Sequence, residues 1–295
     1  MMKYMKTKYF ILLFLPVLLL FNSCKKDQGG TTPTINFSIA ISGDTVRFTN
    51  LSIDANSFNW DFGDGDSSKE ENPTHIYPGK GKYVPTLYAK SSSGGSANGS
   101  TVINISKTSP ILLNDNTLSD WDTLSVNVYN STAAGGNFIM GKFDYDANKI
   151  YFYFEMKSKV ADGNIFDFYL DTDNSSSTGL LTSAFTGGGY DELLEGQLLL
   201  NQSTAAIPLV VYSHTGAQAD FSFNALSLTD FFTIGTIVQD GDTLKFEGSF
   251  DRSKLSISNS TAIRLGIIAT KSDWSATLGS LPDPNTDSYL LNLPN

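Results

Sequence analysis

The chain has 295 residues, 20 of them basic and 30 acidic, giving a net charge of −10 at neutral pH. That surplus of carboxylates argues against nucleic acid and against broad contact with anionic lipid, since both need clustered positive charge. The lone cysteine, Cys24, excludes an internal disulfide, and the length suggests two domains.

Lys3, Lys6 and Lys8 precede an apolar run from Phe10 to Phe21, too short to span a bilayer comfortably and interrupted by Pro16. The run ends at Phe21-Asn22-Ser23-Cys24, which resembles a lipobox. Residues 1–23 are therefore expected to be a lipoprotein signal peptide, and Cys24 the lipidated residue that anchors the mature chain. Without the three leader lysines, 17 basic residues face 30 acidic ones, a net charge of −13. This disfavours strongly acidic polysaccharides and leaves a neutral ligand unpenalised. Residues 24–33 are polar, contain Gly29 and Gly30, and show no periodicity. They read as a flexible tether of up to roughly 30 Å at ~3.3 Å per residue. Its charged start resembles the segment that accompanies surface export in Gram-negative glycan scavengers, which implies an outer-membrane lipoprotein facing the cell surface.

Three blocks follow in order: Asn59-Trp60-Asp61-Phe62-Gly63-Asp64-Gly65, Asn72-Pro73-Thr74-His75-Ile76-Tyr77, and Gly81-Lys82-Tyr83-Val84-Pro85-Thr86-Leu87. Phe58 and Trp60 alternate with Asn59 and Asp61, so one strand face carries an indole into a core. Gly63 and Gly65 supply the positive φ angles of a tight turn, whose free amides Asp61, Asp64 and Asp66 can bond. Pro85 cannot donate to a ladder, so its strand should be an edge or bulged there. Together the blocks resemble the PKD (polycystic kidney disease) module, an immunoglobulin-like β-sandwich, expected over residues 34–107. In bacteria such modules are mostly spacers and display elements, so a specific activity is to be sought elsewhere. Lys107-Thr108-Ser109-Pro110 reads as a short linker.

Residues 111–295 also read as β. Ile150-Tyr151-Phe152-Tyr153-Phe154-Glu155-Met156 is aromatic on both faces and should be a central strand. Phe166 to Leu170 and Thr243 to Phe250 alternate, and Ile263 to Ala269 is a further core strand. No long window carries a helical stripe, and the expected class is all-β, with a second, larger, jelly-roll-like sandwich. Leu118-Ser119-Asp120-Trp121, Lys142-Phe143-Asp144-Tyr145-Asp146, the run Phe168 to Asn174 and the later Gly189-Tyr190-Asp191-Glu192 resemble the carbohydrate-binding-module-family-9-like (DOMON-like) sandwiches. The resemblance implies sugar binding, although many relatives with this fold have no demonstrated ligand.

Two histidines offer little for nucleophilic catalysis. Packing explains His75 within its block, and His214, after Val210-Val211-Tyr212, has no metal-ligand spacing. An enzyme is not expected. Asp171-Thr172-Asp173-Asn174-Ser175 resembles the opening of a calcium loop. It departs from an EF-hand at Ser176, where the turn glycine belongs, and at Thr182, where the bidentate glutamate belongs. Two readings stand: an acidic turn, or a structural calcium site on Asp171 and Asp173 completed by Asp191, Glu192 or Glu195. Trp60 and Trp121 are expected in cores. Trp274, in the polar stretch Lys271 to Ser280, and Tyr190, beside Gly187 to Gly189, are the candidate sugar-stacking rings, and either could instead plug a sandwich end. Asp44-Thr45-Val46, Asp122-Thr123-Leu124 and Asp242-Thr243-Leu244 resemble a bacterial O-glycosylation acceptor, at Thr45, Thr123 and Thr243. The combination resembles surface glycan-binding lipoproteins that capture polysaccharide beside SusC/SusD-type transporters. A structural or adhesive surface protein without a sugar site is the alternative, and a glycoside hydrolase or lyase the third reading.

Overall fold

The structure, a computed structural model, describes residues 30–257 and 260–293; Cys24 and most of the tether lie outside the described residues. The first module holds β1 (Phe37–Ser42), β2 (Thr45–Asn50), β3 (Ser57–Asp61), β4 (Ser67–Ser68) and β5 (Thr74–Ile76). It continues with β6 (Gly81–Tyr83), β7 (Thr86–Lys90), β8 (Ser96–Ser100) and β9 (Ile103–Ile105). One sheet has the order β1-β2-β5, another β4-β3-β7-β8, and β6 pairs with β9. Alternation sends Val46 and Phe48 inward from the first sheet and Trp60 and Leu87 inward from the second. The rings of Phe48 and Trp60 meet at 4.9 Å.

Pro85 acts differently from the sequence expectation. β7 is internal, bonded to β3 on one side and β8 on the other. Instead of lying on an edge strand, Pro85 falls between β6 and β7, where the chain leaves one pairing partner for another and no ladder amide is needed. The tether is also shorter than expected. Pro33 is buried and Thr34 bridges Ile53, so the last tether residues belong to the first module.

The second module begins with β10 (Val128–Asn130), β11 (Phe138–Tyr145), β12 (Lys149–Lys157), β13 (Ile165–Asp171) and β14 (Phe185–Thr186). Then come β15 (Glu192–Gly196), β16 (Val210–His214), β17 (Phe223–Leu226), β18 (Phe232–Asp240) and β19 (Thr243–Asp251). It closes with β20 (Ala262–Thr270), β21 (Thr277–Leu281), β22 (Thr286–Asp287) and β23 (Tyr289–Asn292). A sheet ordered β10-β11-β12-β19-β18 faces one ordered β17-β16-β15-β13-β20-β21, with β23 also on β20. Phenylalanines fill the space between them: Phe152 meets Phe168 at 5.6 Å and Phe246 meets Phe166 at 5.5 Å.

β12 is central in its sheet, and both of its faces are covered. Tyr151 and Tyr153 point away from the phenylalanine core and pack with Trp121, which a 3₁₀ turn (Ser119–Thr123) lays across the sheet. Trp121 Nε1 donates to the fully buried Glu247 at 2.8 Å, and the Thr236 amide donates to the same carboxylate at 2.9 Å. The linker docks on this module. Lys107 Nζ reaches Asp144 Oδ1 at 2.5 Å and the Tyr145 carbonyl at 2.8 Å, and Ser109 donates to Asp144 Oδ2 at 2.6 Å.

Candidate ligand and metal sites

Trp274 sits in the turn between β20 and β21. Lys271 N–H bonds the Ala276 carbonyl and Trp274 N–H bonds the Lys271 carbonyl, while Asp273 accepts the Ser275 amide. The turn places Trp274 at φ +62° with 48% of its surface exposed. A bulky residue in the left-handed region costs on the order of 1–3 kcal/mol, and the exposed indole returns little burial energy. Beside the turn lies a polar cleft of about 350 Å³, lined in part by Asn137, Lys157, Asp162, Asn164, Lys271 and Asp273.

Tyr190 is not available as a stacking platform. It is fully buried, with Tyr169 at 5.7 Å and Phe185 at 6.4 Å. The neighbouring glycines serve close packing rather than exposure. The Thr178 carbonyl lies 1.9 Å from where a Gly189 Cβ would be, so the 172–190 loop folds down on the sheet and seals the ring beneath it. Leu180 and Tyr190 exchange backbone hydrogen bonds of 2.9 Å across this closure.

The same loop brings Asp171, Asp173 and Asp191 together, with a carboxylate oxygen from each within 4.8 Å of the others. Asp171 ends β13 fully buried and accepts the Ser175 amide at 3.0 Å and the Gly189 amide at 3.3 Å. Asp191 takes the Thr172 amide and hydroxyl, and Asp173 the Thr178 hydroxyl. Burial raises the Asp171 carboxyl above the ordinary range, with the Asp191 charge adding to the rise. Burial raises Asp191 as well. Three hard oxygen donors, two of them held back from ionising by burial, suit calcium. Glu192 and Glu195 do not join them: Glu192 accepts from Ser256, and Glu195 pairs across the ladder with Asp167.

The pairing of Asp167 with Glu195 is not visible in the sequence. Asp167 is pushed up to about 7, first by burial and then by Glu195, and its Oδ1 has no hydrogen-bond partner. The signal was present in Phe166-Asp167-Phe168, whose alternation turns Asp167 away from the core, but the cross-strand partner was not. Two exposed rings were also missed, Tyr88 at 46% and Phe221 at 66%. Of the modification candidates, Thr123 is exposed while Thr45 and Thr243 are half-buried, and Thr243 Oγ1 accepts Lys157 Nζ at 2.7 Å. His214 bonds the Asp220 carbonyl at 3.0 Å.

In the first module Asp61 accepts the Gly63 amide at 2.9 Å and Asp64 the Asp66 amide at 3.1 Å, around positive φ at Gly63 and Gly65. His75 stacks on Phe62 at 4.0 Å and meets Asp64 at 2.6 Å. Residues 31–106 match the family model described as PKD domain. The N-terminal module is a PKD domain. Collagenase ColQ1 and collagenase ColA, both of Bacillus cereus, are 30% identical over 94 residues and 41% over 78 residues. These stretches cover 29% and 26% of this chain and lie in its PKD region. The chain spans only 10% and 8% of those relatives' length. The PKD1 domain from the Vibrio cholerae metalloprotease PrtV is 33% identical with a TM-score of 0.25, covering 25% of this chain and 98% of that one. A carbohydrate-binding module of the β-sandwich superfamily, described for promiscuous specificity, is 13% identical with a TM-score of 0.27. It covers 75% of this chain and 92% of that one, and at that score the likeness supports no assignment of ligand.

Proposed function

We propose that this is a lipid-anchored glycan-binding protein of the outer membrane, in which the PKD domain spaces a sugar-binding sandwich from the surface. The observation that carries the reading is Trp274. Its ring is exposed on a left-handed backbone beside a polar cleft, an arrangement that folding does not require. Sugars bind by laying an apolar face on an aromatic ring while side-chain amides and charges take the hydroxyls, and the cleft supplies both kinds of group. The net negative charge favours a neutral polysaccharide, captured for a neighbouring SusC/SusD-type uptake system. A structural calcium held by Asp171, Asp173 and Asp191 would pin the 172–190 loop on the sheet, and Thr123 is the most accessible of the glycosylation candidates. A glycan-array screen of the full chain tests the reading. Binding to a defined neutral glycan is expected, and a blank array contradicts it. The anchor has its own test. Cys24→Ala should release the chain from the membrane fraction, whereas unchanged fractionation removes the lipid.

A further inference from the structure

The outward face of the sheet β4-β3-β7-β8 in the PKD domain carries an exposed tyrosine among amides, serines and lysines. In the sheet β4-β3-β7-β8, Asn59 lies opposite Tyr88 and Tyr88 opposite Asn98, so the three side chains share one row. Trp60 pairs with Ser68, which places Lys69 opposite Asn59 and extends the row by one strand. Adjacent strands lie ~4.8 Å apart, so the row runs about 14 Å, room for a short oligosaccharide. The next row is Ser57, Lys90 and Ser96. These residues line a shallow depression of about 460 Å³. Leu87 and Ala89 face the core between them, so the outward direction of Tyr88 follows from the period of the strand.

The face has a chemistry of its own. An exposed tyrosine is flanked on both sides by side-chain amides and bordered by small serines, a flat surface suited to a pyranose ring and its hydroxyls. Lys69 and Lys90 line the depression, no carboxylate does, and neither lysine forms an ion pair among the described residues. Asp61, which lies on the same face one row along, points its Oδ1 to the Gly63 amide. The charged groups that line the depression are both lysines, while Glu70 and Glu71, which follow Lys69, are exposed but do not line it. At physiological ionic strength charges beyond about 8 Å are largely screened, so the two lysines rather than the whole-chain charge set the preference here. We infer that this face binds an acidic glycan, with Tyr88 under a sugar ring, Asn59 and Asn98 on its hydroxyls, and Lys69 and Lys90 on its carboxylate or sulfate groups.

The proposal concerns a different module from Trp274 and stands independently of that reading. Affinity electrophoresis of the full chain tests it in gels containing polygalacturonate or dextran sulfate, with dextran as the neutral reference. At least one acidic gel should retard the protein and dextran should not. Tyr88→Ala changes no charge and should weaken retardation about tenfold, as loss of a central aromatic contact does. Asn98→Asp should weaken it too, by repelling the ligand, and serves as the test should the tyrosine variant fold poorly. The double variant Lys69→Ala, Lys90→Ala should lose most of the salt dependence, and Trp274→Ala, whose effect belongs to the second module's ligand, should leave retardation in the acidic gel as in the parent. Equal migration in acidic and neutral gels overturns the proposal, as does retardation that survives Tyr88→Ala and Asn98→Asp. Loss of retardation in Trp274→Ala would move the acidic glycan to the second module and equally overturn it.

Discussion

Burial governs the carboxyls of the second module one by one. Asp167, Asp171, Asp191, Glu192 and Glu195 are all raised, in each case chiefly because the charged form is desolvated. A raised folded pKa means the native state keeps a proton that the unfolded chain has lost. Stability therefore falls as pH climbs from 3.8 towards about 7 for Asp167. Asp167→Asn should accordingly stabilise the protein by on the order of 4 kcal/mol at pH 8 and little at pH 4, at about 1.4 kcal/mol per pKa unit. Denaturant melts of both proteins at the two pH values check this, and a difference that ignores pH contradicts it. The calcium proposal shares this logic. Excess calcium should raise the melting temperature of the full chain by several degrees, from ~2.7 kcal/mol at a hundredfold excess over Kd. The gain should shrink at pH 5, where protons compete for Asp171 and Asp191. A melting temperature indifferent to calcium and chelator at pH 7.5 leaves only an acidic turn. The gathering of Asp171 with Asp173 was legible because the two lie two residues apart, and Asp191 entered through a resemblance. Asp167 with Glu195 was not legible, since strands 28 residues apart in sequence set that pair.

Elements were more legible than their partners. Strong alternation fixed the faces of β3, β13 and β19, and the doubly aromatic β12 had to be central because both of its faces needed cover. What covers its outer face could not be read. Trp121 was expected in a core, but its carboxylate partner Glu247 lies 126 residues on, and Glu247 alone resembles an exposed strand residue. Trp121→Phe keeps most of the ring and strands Glu247 Oε2, so it should cost about 1–3 kcal/mol by the unmet hydrogen bond. Thermal melts of the variant check this; an unchanged midpoint would mean that Glu247 finds another donor. Pro85 and Tyr190 show two limits of local reasoning. Pro85 was expected within a strand, at an edge or a bulge, yet it lies between two strands where the chain changes partner. Tyr190 was left open between a stacking ring and a plug, and the glycines beside it let the backbone close over the ring, which is the plug.

At the scale of the whole molecule, the joint between modules is chemically specific. Lys107 and Ser109 both end on the buried Asp144, so the linker is held to the second module by charge and hydrogen bonds. Sugar capture is proposed to rest on Trp274 in that module. The most direct test is Trp274→Ala in the full chain, with affinity for the glycan identified on the array and the melting temperature measured together. Affinity should fall by ~2 kcal/mol or more, the size of a central aromatic contact, while the melting temperature stays close to that of the parent. Retained binding with a fold weakened by ~3–5 kcal/mol would make Trp274 a packing residue and contradict the account.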